Sequence, residues 1–167
     1  MMDIEERITR LEDIESIRNL QARYQRCLDT RDFDGLSDCF APDAVSSYDG
    51  GKMRYEGRES ILDFLRSVMT ADMPSAHLIH GGEIDVKDSR HAVAKWYLED
   101  HLLHRKFPVK LNGAAIYDVE YLKDGGRWMI LRIGYTRCYQ YFELRGPVNL
   151  ITLGKTRFLD ALKKKKR

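Results

Sequence analysis

Over the first thirty or so residues, apolar side chains recur every three or four positions: Ile4, Ile8, Leu11, Ile14, Ile17, Leu20, Tyr24 and Leu28. That spacing lines one face of a helix and predicts a single long α-helix. A shorter helix is expected over "FDGLSDCF", stopped by "APD". Next come an extended "AVSSYD", a turn at "DGG" and a second extended piece, "KMRYE". In "GRESILDFLRSVMT" the residues Ile61, Leu62, Leu65, Val68 and Met69 share one side of another amphipathic helix. Beyond Pro74 the period changes. "SAHLIHGGEIDV", "HAVAKWYLEDHLLH", "GAAIYDVEYL" and "RWMILRIGYTRCYQYF" read as long strands, and "KDS" and "KDGG" join neighbours as antiparallel hairpins. Helices first and a meander of strands afterwards is the α+β pattern, with helices packed on one face of a curved, mostly antiparallel sheet. No repeat or linker interrupts it, so residues 1–167 are expected to form one domain, with 147–167 as a C-terminal extension beyond Gly146–Pro147.

Each face of a half-buried strand can be read by alternation. In "HAVAKWYLEDHLLH" one face carries Ala92, Ala94, Trp96, Leu98, Asp100 and Leu102, an apolar row with a single carboxylate. In the last strand the row Met129, Leu131, Ile133, Tyr135, Arg137, Tyr139 is apolar apart from one guanidinium. An unpaired buried charge costs several kcal/mol or more. Asp100 and Arg137 are therefore paired, or beside a solvated cavity, or at strand ends where the sheet leaves the core. In the first helix Tyr24 falls on the apolar stripe, and Asp29 lies five positions on, about 140° around the helix. The two share a face only if the helix ends near Asp29, which could equally cap the next helix.

Two histidines, His77 and His80, sit three residues apart in "AHLIHGGEIDV". Simple parity groups His80 with Leu78, Ile84 and Val86. A bulge at the glycine pair would flip that parity and turn His77 inward instead. Either imidazole has the intrinsic pKa for proton transfer near neutrality, and a carboxylate behind it would fix its tautomer. Tyrosine supplies a neutral donor, and arginine steadies developing negative charge. Such groups converging on an apolar pocket can remove a proton next to a carbonyl without a cofactor. No serine or cysteine nucleophile, phosphate-cradling glycine loop or metal motif is visible, so neither metal nor cofactor is expected.

Composition narrows the setting. The apolar fraction of 43% is that of a globular chain, and no apolar run approaches the ~20 residues of a membrane span. The opening "MMDIEERITRLED" is too charged for a signal peptide. Three cysteines, Cys27, Cys39 and Cys138, at no metal-like spacing point to reduced thiols and a cytoplasmic protein. A net charge of +2 argues against nucleic acid as the main partner, and the terminal "KKKKR" reads as a solvated tail.

The runs "RYQRCLD", "SSYDGGK", "AHLIHGGEI", "KWYLEDHL", "LNGAAIYDVEY" and "ILRIGYTRCY", in that order over about residues 10–145, resemble the SnoaL-like branch of the nuclear-transport-factor-2-like family. The resemblance is strongest to the bacterial bile-acid 7α-dehydratases of that branch. It implies a cone-shaped, cystatin-like α+β fold enclosing a pocket. It also implies catalytic roles for Tyr24, Asp29, His77, Asp100 and Arg137, with His77 chosen over His80 and so a bulge at Gly81–Gly82. Tyr48, Trp96, Asn112 and Tyr135 lie in the matching runs and are expected to contact substrate. The implied reaction is cofactor-free loss of the 7-hydroxyl from a 3-oxo-4-ene steroid or bile-acid derivative, free or as a coenzyme A thioester. His77 would be oriented by Asp100 or by Asp29. A ketosteroid isomerase or polyketide cyclase, or a non-catalytic binding protein, uses the same scaffold. Two departures bear on substrate size: "HRKFPVKLNG" looks short, and "GG" replaces a Thr-Pro pair. Apolar groups on the outer strand faces, such as Val93, Tyr97 and Leu103, lead us to expect a homotrimer. Residues 147–160 are expected to fold over the pocket or a neighbouring subunit, against the competing reading of a disordered tail.

Overall fold

The computed structural model describes residues 2–144, and the C-terminal extension with its expected covering segment lies outside the described residues. Helix α1 (Ile4–Thr30) opens on a capping box: the Asp3 carboxylate accepts from the Glu6 amide at 2.8 Å, and the Glu6 carboxylate accepts from the Asp3 amide at 3.1 Å. It ends where Arg31 takes a left-handed conformation (φ 59°). Helix α2 (Phe33–Ser37) is capped by Asp32, whose side chain accepts from the Gly35 amide. Strands β1 (Phe40–Tyr48) and β2 (Met53–Glu56) precede helix α3 (Arg58–Val68). Four long strands follow, β3 (Ser75–Val86), β4 (His91–Leu103), β5 (Val109–Asp124) and β6 (Arg127–Leu144).

The six strands form one sheet in the order β2-β1-β6-β5-β4-β3, antiparallel throughout except for the parallel pair β1–β6. The expected α+β architecture is what forms. The helices bury Ile17, Leu20, Tyr24, Leu28, Ile61, Leu62 and Leu65 against the inward side chains of the sheet, including Leu98, Val119, Ile130 and Ile133. The helix buries residues only from Asp13 onward; Ile4, Ile8 and Leu11 remain exposed.

Alternation along β6 is broken twice, between Glu120 and Tyr121 and between Ala114 and Ala115 of its partner β5. Leu131 and Cys138 are the extra residues. The inward row of β6 is therefore Trp128, Ile130, Ile133, Tyr135 and Arg137, continuing with Gln140 and Phe142. The unbroken row expected through Met129, Leu131 and Tyr139 is corrected accordingly: a bulge reverses the parity of everything beyond it. Tyr139 points to the outer face, opposite Ala114.

Candidate active site

The glycine pair in β3 does what a bulge does. From His80 to Glu83 β3 advances three residues while β4 runs from Tyr97 to Lys95, with Gly81 at φ +53°. His77 then faces inward opposite Asp100, and His80 faces outward opposite Tyr97. Glycine is also required at 82, where a Cβ would lie 2.1 Å from the Trp96 ring.

The last turn of α1 aims Asp29 at this strand. Its carboxylate accepts from Ser75 Oγ (2.7 Å), from the His77 backbone amide (2.9 Å) and from His77 Nδ1 (2.6 Å). Burial alone would raise the Asp29 carboxyl, but the His77 and Ser75 bonds outweigh it and hold it below the usual carboxylate value. An ionised Asp29 makes Nδ1 the protonated ring nitrogen and leaves the Nε2 lone pair to act as base. Asp29, and not Asp100, stands behind the histidine.

Asp100 has a different partner. Arg137 Nη1 and Nη2 donate to its two oxygens at 2.8 and 2.6 Å, a bidentate pair with Asp100 buried and Arg137 half-buried. Burial works against the guanidinium's charge, but the carboxylate more than compensates and raises its pKa. The Arg137 guanidinium also lies 4.7 Å from the Tyr135 ring centre. Gly113, opposite Asp100 on β5, makes room: a Cβ there would come within 2.7 Å of both Arg137 Nη1 and Asp100 Oδ1.

These groups line a cleft of about 140 Å³ on the inner face of the sheet. His77, Asp100 and Arg137 meet Tyr24, Tyr48, Tyr117 and Tyr135 there, and Leu65, Met69 and Leu98 supply apolar wall. Burial pushes the Tyr48 phenol up to about 12 and holds Tyr24 and Tyr117 well above the ordinary phenol value, so all three stay neutral donors. The buried Tyr48 hydroxyl sits beside the Tyr24 hydroxyl and Ser46, which act on it as hydrogen-bonding neighbours, but it makes no well-aligned hydrogen bond to either. Its ring packs 5.4 Å from Tyr135 and 5.7 Å from Phe64.

Of the residues singled out from sequence, Tyr24, Tyr48, His77, Asp100, Tyr135 and Arg137 come together in the cleft, with Asp29 directly behind His77. Two expected substrate contacts lie elsewhere. Trp96 is core, its indole N–H donating to Tyr121 Oη at 3.0 Å beneath Gly82. Asn112 pairs with His101 across the outer face, where its side chain meets His101 Nδ1 (2.8 Å) and Glu143 (3.4 Å). Sequence reading missed Ser75 and Tyr117. The row Gly113, Ala115, Tyr117, Val119, Tyr121 carries two hydroxyls on an apolar face, and Tyr117 is the one that reaches the cleft.

A SnoaL-like domain model matches residues 9–133 of the chain. Among solved structures, the chain is similar to a candidate scytalone dehydratase from Novosphingobium aromaticivorans (18% identity, 84% of this chain and 96% of that one, TM-score 0.74). It is also similar to the type-3 hexachlorocyclohexane dehydrochlorinase LinA from Novosphingobium barchaimii (18%, 87% and 98%, TM-score 0.75). A third likeness is to ActVI-ORFA from Streptomyces coelicolor (14%, 75% and 96%, TM-score 0.65). At these identities the solved structures speak for the fold. Among the described residues no helix is long and apolar enough to cross a membrane. With three quarters of its length matched by the domain model, the chain belongs to the SnoaL-like domain family.

Proposed function

We propose that this protein is a cofactor-free hydro-lyase that expels a hydroxyl from a ring ketone, with a 7-hydroxy-3-oxo-4-ene steroid or bile-acid derivative as its substrate class. The observation that carries this reading is the Asp29–His77 pair, an oriented imidazole lining an apolar-walled cleft whose other polar groups are four phenols and the Asp100–Arg137 ion pair. The conjugated ketone acidifies the C6 hydrogens. His77 Nε2 takes one proton, the C–H electrons enter the dienolate, and Tyr24 and Tyr48 donate to its oxygen. The dienolate re-forms the ketone by pushing out the C7 oxygen, which leaves as water with the proton returned from His77. Arg137, with further N–H donors beyond the two used on Asp100, steadies the departing oxygen or a substrate carboxylate. The steroid assignment draws on the resemblance of the motif runs, and the coenzyme A thioester is the alternative form of the same substrate.

Two further assignments accompany it. Leu78, Tyr97, Tyr139 and Tyr141 are exposed on the outer face of the sheet, which supports a homotrimer that covers this face; a monomer mass by light scattering at micromolar concentration contradicts it. The three free cysteines suit a reducing compartment, and we place the protein in the cytoplasm.

The functional test is incubation with 7-hydroxy-3-oxo-4-ene steroids, following the longer-wavelength absorbance of the extended dienone and the product mass. Loss of one water is the expected result. An isobaric product points to an isomerase or cyclase, and binding without conversion across the panel to a binding protein; either overturns the reading.

A further inference from the structure

The catalytic cleft, at about 140 Å³, is close to the roughly 150 Å³ that holds a single benzene ring. Ligand sites for larger molecules run to about 300–1,000 Å³. A second, larger hollow of about 270 Å³ lies at the turn that joins β4 to β5. Leu102 and Leu111 are cross-strand partners on β4 and β5, and they line both spaces. Beyond them the wall is Met73, Phe107, Val109 and Phe142, with His104 the one polar side chain among its described lining residues. Phe107 and Phe142 are each more than half exposed. The phenols, His77 and the Asp100–Arg137 pair all lie in the inner cleft, whereas His104 is the one polar side chain among the described residues of the outer trough.

We infer that this outer trough is a specificity subsite that binds an apolar extension of the substrate, further fused rings or an alkyl chain, while the reacting ring occupies the inner cleft. The occupant follows from continuity: a ring held at His77 fills the inner space, so whatever it bears toward Leu102 and Leu111 must pass into the trough. With His104 the one polar side chain among the described lining residues, most of a hydroxylated extension seated there would lose its water contacts without compensation. The part of the substrate that lies in the trough is therefore hydrocarbon, with any carboxylate or thioester beyond it. The subsite rests on the cleft being the substrate site, as proposed above.

The test measures binding alone, so that it is separable from turnover. A series of 4-alkylcyclohex-2-enones, methyl to hexyl and lacking any leaving hydroxyl, is titrated calorimetrically into the full-length protein. Affinity is expected to rise about two- to fourfold per methylene over the shorter members, the span from half to full burial of each group. Val109→Trp, which fills the trough, should shrink the hexyl-to-methyl ratio at least tenfold. Met73→Trp, on a different element, should do the same and guards against a misfolded first variant. Affinity independent of chain length overturns the subsite, and so does a rise that survives in both variants. A rise seen only after deleting residues 147–167 means the chain's own C-terminal segment fills the trough, which also overturns it. Failure of the hydro-lyase reading shows separately, as absent conversion of 7-hydroxy steroids with the alkyl series still graded.

Discussion

The two ends of this molecule both bury polar groups, and they use them differently. At the closed end Trp96 donates to Tyr121, which donates to Gln21 Oε1 at 2.7 Å. Nearby, Asp13 on α1 accepts from Trp128 Nε1 (2.8 Å) and Lys123 Nζ (2.7 Å). Each indole N–H and the Tyr121 hydroxyl are fully used within the protein, and the result is a helix fastened to a sheet. At the open end the same kinds of group are bonded on one side only. His77 is held through Nδ1 and lines the cleft, Arg137 is held through two of its donors, and the Tyr48 hydroxyl makes no well-aligned hydrogen bond to its neighbours. At the first end these groups bond to one another and fasten a helix to a sheet, although the buried Gln21 Nε2 has no partner among the described residues; at the second they line a cleft, where orientation serves binding and catalysis.

Substitutions can break this contrast at either end. The largest effect is expected from His77→Ala, which should cut turnover by about 10²–10⁴-fold, the usual worth of a positioned acid–base group, with circular dichroism unchanged. Next comes the buried ion pair. Asp100→Asn or Arg137→Met alone strands the partner and should destabilise by about 3 kcal/mol, at the low end for buried pairs because Arg137 is partly exposed. Gly113→Ala should act in the same direction by pushing the pair apart, and urea melts measure all three.

Two tyrosine-to-phenylalanine changes then form a mirrored pair. Tyr121→Phe removes a hydroxyl that serves two neighbours and should lower stability by about 1–3 kcal/mol while leaving kcat alone. Tyr48→Phe removes a hydroxyl that makes no well-aligned bond to its neighbours Tyr24 and Ser46, so stability should fall by about 1 kcal/mol at most, less than for Tyr121→Phe, while kcat falls about tenfold or more as a transition-state donor is lost. Equal effects of the two on kcat would erase the distinction between the ends.

The smallest expected effect is on acid stability. Asp29 has its carboxyl depressed in the folded state, so its contribution is fully present above the unfolded value of about 4 and is lost as pH falls through the lower folded value. Asp29→Asn should therefore lose less stability than the parent between about pH 5 and pH 3, read from melting temperatures across that window.

The legibility of the sequence followed the same division. Element order and the α+β class were readable because helix and strand periods differ and turn residues mark the hairpins. Alternation and the glycine pair left His77 and His80 both open; the family resemblance chose His77 and with it implied a bulge, which the β3–β4 register shows. The bulges at Leu131 and Cys138 involve no glycine, so parity misplaced Met129, Leu131 and Tyr139. Trp96 sits on the inner face as alternation says, but the face extends from core to cleft, and alternation does not say where one becomes the other. Asn112 fell into a matching run yet points outward, opposite His101. Asp29's choice of His77 over a capping role depended on α1 ending at Arg31, a long-range fit between a helix end and a strand that local pattern does not encode.

The central claim is that His77 is a base for a carbon-bound proton, and hydrogen exchange tests it most directly. A 3-oxo-4-ene steroid lacking the 7-hydroxyl, incubated with the protein in deuterated buffer, cannot eliminate but can still be deprotonated. Wild-type protein is expected to place deuterium at C6, seen by NMR, at a rate at least about 10²-fold above that of His77→Ala. Equal incorporation by the two proteins, or none by either with the ketone demonstrably bound, would contradict it.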